Sequence, residues 1–165
     1  MKKISLISLL IFLVDRITKI LVTNNLTLNA RNKIIDKFFY ITRCHNEGAA
    51  FSIFSGNVIF LILITLVVLY LIYKSLKSKK DLSKIAYISY GLLLGGIVGN
   101  LFDRLFYGYV IDFLDFQIFK FDFAVFNIAD MAIVIGALLL LIFEGSEKNG
   151  NKISSDWYRR KGKIR

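Results

Sequence analysis

The chain reads V-I-D-F-L-D-F-Q-I-F-K-F-D-F-A-V-F-N-I-A-D from Val110 to Asp130, so that Asp112 and Asp130 stand on either side of an aromatic-rich loop. Asp130 is the only charged residue between positions 123 and 143. A carboxylate inside an apolar segment of membrane length costs about 2.5 kcal/mol or more on insertion scales, so such a residue is first interpreted as functional. The alternative is that Asp130 only begins a helix at the membrane surface, with Asn127 as its N-cap.

The composition of the whole chain is that of an integral membrane protein. Of its 165 residues 56% are hydrophobic, and the mean hydropathy of +0.59 is too high for a soluble domain. A helix needs about 20 residues to cross the hydrocarbon core. Four stretches are long enough, at about 4–22, 54–73, 85–104 and 126–143. We therefore expect an all-α polytopic protein with four transmembrane helices in one membrane domain, residues 1–143, followed by a basic cytoplasmic tail, residues 144–165.

The net charge of +10 is informative through its distribution. Basic residues concentrate before the first span (Lys2 and Lys3), in the connection between the second and third spans (Lys74, Lys77, Lys79, Lys80 and Lys84) and in the tail. The positive-inside rule makes these three regions cytoplasmic, which predicts an N-in, C-in topology with residues 23–53 and 107–125 on the outer face. The charge therefore indicates topology, and we expect no nucleic-acid partner.

Several kinds of catalytic site are excluded by the residues available. The single cysteine, Cys44, cannot form an intrachain disulfide, and no Cys/His cluster or H-E-x-x-H motif offers a metal site. There is no G-x-S-x-G nucleophile motif either. The only histidine, His45, is interpreted as an incidental loop residue. We expect chemistry that uses no metal and no cofactor.

The first span contains an acid and a base that a membrane helix would have to bury. Lys19 follows Asp15 by four residues, the spacing of a helical ion pair. Asp15 would lie about 10 Å below the outer end of the helix. Either the pair extends toward the headgroups, or it has a role near an active site; both interpretations stay open.

The third span combines a packing surface with a polar face. Small residues recur every four positions at Gly91, Gly95 and Gly99, which predicts close packing of another helix. Asn100, Asp103 and Arg104 share one face near the outer end. Asp103 and Arg104 could simply pair at the interface, but this face leads directly into the stretch that carries the two acids.

The outer segments predict a small sheet on the membrane surface. Residues 37–43, K-F-F-Y-I-T-R, have the composition of a short strand. In N-E-G-A-A-F, residues 46–51, Asn46 could cap a short helix and Gly48 allows close backbone approach. Farther along, Phe119, Phe121 and Phe123 alternate with Lys120 and Asp122, which predicts a strand or hairpin with an aromatic side toward the headgroups.

Polar residues from every outward-facing segment converge on one region, which is the strongest sequence argument for a site. They are Asp15, Asn46, Asn100, Arg104, Asp112, Asn127 and Asp130. Two carboxylates that share one proton provide a base and an acid, and so activate water as aspartic proteases do. Asp112 and Asp130 are the predicted pair, and Asp103 and Asp115 are neighbouring acids outside it.

Two other functions are compatible with parts of this sequence. A small ion or proton-coupled transporter also buries polar residues, but it needs them through the inner half of the bilayer. Here the inner halves, at 4–14, 64–73, 85–95 and 135–143, are almost wholly apolar. A structural membrane protein with polar helix contacts leaves the two acids facing each other across a loop unexplained.

Five motifs together resemble the sequence boxes of the bacterial lipoprotein signal peptidase family, signal peptidase II. They are D-R-I-T-K (15–19), N-E-G-A-A-F (46–51), G-G-I-V-G-N-L-F-D-R (95–104), V-I-D-F (110–113) and F-N-I-A-D (126–130). The resemblance spans most of the chain. It implies a membrane-embedded aspartyl endopeptidase of the bacterial cytoplasmic membrane that removes signal peptides from diacylglyceryl-modified prolipoproteins, cutting before the lipidated cysteine.

The resemblance also assigns residues. It implies that Asp112 and Asp130 are the catalytic pair, that Asn46, Gly48, Asn100, Arg104 and Asn127 line or brace the site, and that Asp15 supports it. By their spacing, Lys19 and Asp103 join the supporting set. The family further has a small outer β-cradle and a short amphipathic outer helix that can cover the site. We expect prolipoproteins and membrane lipids as partners of a monomeric enzyme. One departure is that the proline that often precedes the last box is absent here.

Overall fold

The computed structural model describes residues 2–48, 54–79, 81–118, 121–122 and 124–143. Within them the helices are α1 (Lys2–Asn25), α2 (Val58–Ser78), α3 (Lys84–Tyr107) and α4 (Ile128–Phe143). The strands are β1 (Arg31–Ile35), β2 (Phe39–Asn46), β3 (Val110–Ile118) and β4 (Phe121–Asp122). The protein is thus mostly helical, with one small antiparallel sheet.

Two of the described helices, α2 with 21 residues and α3 with 24, are long and apolar enough to cross a membrane. The helix α4 is apolar but shorter, and α1 carries Asp15, Arg16 and Lys19 in its sequence. Only Leu61 and Leu76 of α2 are buried. Most of the apolar surface of α2 therefore faces outward, a distribution that suits lipid rather than water.

The helices α1 and α3 pack closely along the glycine stripe of α3. A Cβ added at Gly91 would lie 2.6 Å from the Cβ of Ile7, and one added at Gly95 would lie 2.7 Å from the Cβ of Ile11. Any larger residue would push α1 away, so the predicted close approach is confirmed. The contacts advance in the same direction along both helices, and α1 and α3 are therefore parallel.

The other two helices run against α3. A Cβ at Gly136 of α4 would lie 2.7 Å from the carbonyl oxygen of Ser89, near the start of α3, whereas the first turn of α4 faces Gly96. The end of α2 meets the starts of α1 and α3 in an apolar cluster of Ile4, Leu76, Ala86 and Tyr90. The bundle therefore alternates in direction, and the sheet lies at the end where α1 and α3 finish.

The sheet has the strand order β1-β2-β3-β4. The strand β3 follows α3 almost at once, because Gly108 takes the left-handed conformation (φ 80°) that ends the helix. The register between β2 and β3 sets Cys44 opposite Asp112 and Asn46 opposite Val110. Asp112 is thereby fixed in the central part of the sheet.

The sequence treats the stretch between Asp112 and Asp130 as an aromatic-rich loop, and for its first part that prediction is wrong, because Val110–Ile118 is a nine-residue strand. Residues 110 to 115 are all buried. A strand that is covered on both faces shows no alternation of polar and apolar residues, and so it lacks the usual pattern of a surface strand.

The other outer predictions have separate outcomes. The strand predicted at 37–43 is confirmed as β2, and Phe121–Asp122 forms the strand β4. The remaining residues of the predicted aromatic hairpin, Phe119, Lys120 and Phe123, lie outside the described residues. So do residues 49–53, where the short outer helix would begin, and the tail from 144 onward.

Candidate active site

Asn127 is the N-cap of α4 and pairs reciprocally with Asp130. The backbone N–H of Asp130 donates to Asn127 Oδ1 at 2.9 Å, and the backbone N–H of Asn127 donates to Asp130 Oδ2 at 3.3 Å. This is a capping-box arrangement, with Asp in the position usually held by Glu or Gln. The cap that the sequence offered as an alternative therefore exists, and it holds the Asp130 carboxylate at the helix start.

The Asn127 side chain also reaches the second acid. Its Nδ2 donates to Asp112 Oδ1 at 2.7 Å and to Asn100 Oδ1 at 3.1 Å. Asn127 is completely buried. One asparagine therefore touches both predicted catalytic carboxylates, and it joins α4 to β3 and α3.

Asp112 is held by neutral donors inside the sheet. Besides Asn127, Asn46 donates through Nδ2 to Asp112 Oδ2 at 2.9 Å. Asn46 Oδ1 accepts from the backbone N–H of Gly48 at 2.9 Å, which orients the amide. Only 2% of Asp112 is exposed. Burial, and then the nearby charge of Asp130, raise the pKa of the Asp112 carboxyl to about 7.

Asp130 is half-buried and borders an open surface. Its Oδ1 accepts from Asn100 Nδ2 at 2.6 Å. It lines a groove of about 340 Å³ with Phe126, Met131, Val134 and Ile135. A ligand in this apolar groove would therefore reach the Asp130 carboxylate from the side of α4.

Lys19 lies in a buried network that is joined to Asp112 and Asp130 through Asn100. Its Nζ is 2.8 Å from Asp15 Oδ2, 2.8 Å from Asp103 Oδ2 and 3.1 Å from Asn100 Oδ1. Asp15 Oδ1 accepts from the backbone N–H of Ala129 at 3.0 Å. The predicted ion pair of Asp15 and Lys19 is confirmed, but extension toward the headgroups is wrong because both side chains are 0% exposed.

Asp103 belongs to the same network. The pair of Asp103 and Arg104 that the sequence allowed does not form, because Asp103 bonds to other partners. It forms ion pairs with Lys19 and Arg16 and accepts from the backbone N–H of Ile111 at 3.3 Å. It lies outside the predicted pair, as does Asp115, which bonds to Arg31 at 2.7 Å. Because Asp103 is fully buried, a substitution there would disturb the fold.

Arg104 holds the segment after β2 against α3. One of its terminal nitrogens donates to the carbonyl oxygen of Gly48 at 2.8 Å. Gly48 in turn donates to Asn46, which contacts Asp112. Arg104 is therefore linked to Asp112 through Gly48 and Asn46.

All of the predicted site residues lie in one connected set of hydrogen bonds and ion pairs. They are Asp15, Lys19, Asn46, Gly48, Asn100, Asp103, Arg104, Asp112, Asn127 and Asp130. Within the described part of the chain, no group of three His, Cys, Asp or Glu side chains could hold a metal ion. The arrangement offers two adjacent carboxyl groups, both oriented by amides, beside an apolar groove.

Comparison with known proteins gives this arrangement its context. The family described as signal peptidase (SPase) II matches residues 7–144 of the chain. The chain belongs to the signal peptidase II family. Its function is accordingly the processing of lipoprotein signal peptides, and it is a peptidase integral to the membrane.

Two solved structures resemble this signal peptidase II family member along most of their length. One is a bacterial membrane enzyme solved by the in meso method at 2.3 Å resolution, with a TM-score of 0.84, 30% identity, and coverage of 91% of this chain and 92% of that one. The other is a bacterial membrane enzyme solved by the same method at 1.9 Å, with a TM-score of 0.77, 32% identity, and coverage of 86% and 92%.

Sequence reasoning missed Arg16 in this signal peptidase II site. Its guanidinium pairs with Asp103 and lies 4.7 Å from the centre of the Phe102 ring. The signal was available, because Arg16 follows Asp15 directly in the first motif. His45, by contrast, stacks on Tyr109 with the ring centres 3.7 Å apart, and burial lowers the pKa of its imidazole. It forms no contact with either acid among the hydrogen bonds and ring contacts of the described residues.

Proposed function

We propose that this protein is an aspartyl endopeptidase that cuts diacylglyceryl-modified prolipoproteins just before the lipidated cysteine, with Asp112 and Asp130 as the catalytic pair. The observation that carries the proposal is the Asn127 side chain, which bonds to the buried Asp112 and caps α4 by accepting from the backbone N–H of Asp130. Asp130 in turn borders the apolar groove on α4. Two acids in such different surroundings can hold different protonation states.

In this mechanism the pair shares one proton, which Asp112 carries. Burial raises its pKa to about 7, so that Asp112 can hold a proton near neutral pH. Asp130 is more exposed and accepts from Asn100 and from the backbone of Asn127, which stabilise a negative charge. Asp130 therefore acts as the base, and Asp112 as the acid.

The first step is attack of water on the scissile carbonyl. Asp130 takes one proton from the water while the water oxygen bonds to the carbonyl carbon. At the same time Asp112 gives its proton to the carbonyl oxygen. In the second step, Asp130 gives its proton to the departing nitrogen as the C–N bond breaks, and a hydroxyl proton of the intermediate returns to Asp112. The pair regains its starting state without metal or cofactor.

The groove beside Asp130 suits the proposed substrate. A lipidated signal peptide is an apolar helix in the bilayer, and its scissile bond lies near the membrane surface. Met131, Val134 and Ile135 follow Asp130 along α4 and present an apolar surface on the same side. The substrate would therefore reach Asp130 sideways from the lipid, with its apolar helix along α4.

The proposal includes a membrane topology. We place α1 to α4 across the bacterial cytoplasmic membrane, with both termini inside, in one domain of residues 1–143 that acts as a monomer. The alternating helix directions support this placement, as do the lysines at the starts of α1 and α3, which lie at the end away from the acids. The 16 residues of α4 reach about 24 Å, so the bilayer would be locally thinned beside it.

The decisive experiment compares two substrates with the purified full-length protein. A diacylglyceryl-modified prolipoprotein should be cut before its lipidated cysteine, as seen by mass spectrometry of the products, whereas the unmodified precursor should not. Equal cleavage of both would remove the lipid specificity and leave a peptidase. No cleavage of either precursor by correctly folded protein would contradict the proposed activity.

A further inference from the structure

A second groove lies between the first turns of α1 and α3. It has a volume of about 490 Å³ and is lined by Lys3, Leu6, Ile7, Lys84, Tyr87 and Ile88. At 1.5 Å per helical residue, Lys3 is about 18 Å along α1 from Asp15, and Lys84 is about 24 Å along α3 from Asn100. Because α1 and α3 are parallel, both lysines lie at the membrane surface opposite the candidate active site. This placement holds whichever surface is cytoplasmic.

The lining of this groove has a cationic mouth and an apolar body. Lys3 and Lys84 are exposed, and the Lys3 ammonium lies 5.8 Å from the centre of the Tyr87 ring. Farther along the helices, Leu6 is 69% exposed and Ile88 is 38% exposed. Among the ion pairs of the described residues, none joins either lysine to a carboxylate. The mouth therefore has positive charge available for a ligand.

The helix ends strengthen that charge. The first turns of α1 and α3 contain no acidic residue, and each holds a lysine of the groove. The N-terminus of a helix carries partial positive charge, so a cation there is unfavourable and an anion is stabilised. Two such termini with lysines converge here. A bound anion would relieve the repulsion at both.

We propose that this groove binds one anionic phospholipid of the surrounding membrane. Its phosphate would lie between Lys3 and Lys84, and an acyl chain would lie along Leu6 and Ile88. Basic pockets between transmembrane helices bind anionic lipid headgroups in this way. A free phosphate would satisfy the lysines and leave the apolar body uncovered, whereas a lipid covers both parts of the groove.

The test uses the full-length protein in phosphatidylcholine nanodiscs that contain a phosphatidylglycerol with a photoreactive acyl chain. Crosslinked peptides identified by mass spectrometry should come from residues 2–8 and 84–92, and unlabelled phosphatidylglycerol should compete while phosphatidylcholine should not. The double variant Lys3→Gln/Lys84→Gln should weaken binding about 30-fold, because each basic residue near an anionic lipid contributes about fivefold. Far-UV circular dichroism verifies that the variant is folded.

A charge-matched control separates this groove from diffuse surface charge. Lys74→Gln/Lys77→Gln removes the same charge from exposed positions of α2 near the same membrane surface, and should leave labelling unchanged. Leu6→Trp should narrow the apolar body and reduce labelling at 84–92 without any change in charge. Equal losses in both lysine pairs, labelling that Leu6→Trp leaves intact, or competition by inorganic phosphate as effective as that of the lipid would each overturn the proposal.

Discussion

Lys19→Met is the perturbation that most directly tests the buried network. Lys19 lies 2.8 Å from both Asp15 and Asp103 and has no solvent exposure. Its removal leaves Arg16 to neutralise Asp103, so that Asp15 is the carboxylate left without a cation. Removing one partner of a buried ion pair costs about 3–5 kcal/mol. We expect a loss of that size in the free energy of unfolding.

The double variant Asp15→Asn/Lys19→Met supplies the internal comparison. It removes one positive and one negative charge together and leaves Asp103 with Arg16. The remaining cost is that of lost hydrogen bonds, about 1–2 kcal/mol. The double variant should therefore be more stable than Lys19→Met alone, which is a strong departure from additivity.

The assay is unfolding of the purified protein in mixed micelles by a rising fraction of SDS, followed by far-UV circular dichroism. Lys77→Met, an exposed site on α2, is the control and should change stability by about 0.5 kcal/mol or less. A loss below about 1 kcal/mol for Lys19→Met would refute the reasoning, since it lies under the range for a broken buried pair. A double variant that is less stable than Lys19→Met would refute it as well.

Three further predictions concern the acids and the topology. Asp112→Asn and Asp130→Asn should each abolish cleavage of lipidated precursor, and the double variant should be hardly worse, because the effects of residues that act as a unit are not additive. Asp36→Asn, at an exposed turn, is the control. Near wild-type cleavage by either folded single variant would contradict the mechanism. Because the native state holds a proton on Asp112 up to a pKa of about 7, whereas the unfolded chain releases it near the ordinary aspartate pKa of 3.8, stability should fall as pH rises between these values. Asp112→Asn should remove that part of the slope in unfolding measurements, and an unchanged slope would contradict it. Single cysteines at Ser78 and Ser154, in a Cys44→Ser background, should be labelled only from the cytoplasmic side, and labelling of either from outside would reverse the topology.

Local spacing predicts much of this structure. The four-residue spacing of Asp15 and Lys19 predicts their ion pair, and the glycines of α3 predict a close helix contact. Neither pattern identifies the residues from other elements that complete the contact. Lys19 is neutralised a second time by Asp103, and the stripe receives α1, so both features depend on contacts between residues more than 80 positions apart.

The candidate site was predictable in its members and less so in its geometry. The motifs name Asn127 and Asp112, but the sequence treats the stretch that follows Asp112 as an aromatic-rich loop. In the structure that segment is buried strand β3, and the strand is what brings Asp112 to Asn127. Continuous burial removes the alternating pattern by which strands are recognised, so only the folded chain reveals this placement.

The side-chain donors that hold Asp112 and Asp130 are neutral asparagine amides, and this neutrality has a chemical reason. Asp112 and Asp130 accept side-chain hydrogen bonds from Asn46, Asn100 and Asn127, and no ion pair of the described residues involves either acid. A cation in contact would favour the ionised form of both acids and so remove the shared proton that the proposed mechanism needs.

The nearby cations are instead occupied by other partners. Lys19 contacts Asp15 and Asp103, and Arg104 donates to the carbonyl oxygen of Gly48. Neutral amides can orient carboxyl oxygens without fixing their charge, since a carboxyl group accepts from an amide N–H in either protonation state. The buried ion pairs therefore position the amides, and the amides leave the charge of the two acids unfixed, as the proposed mechanism requires.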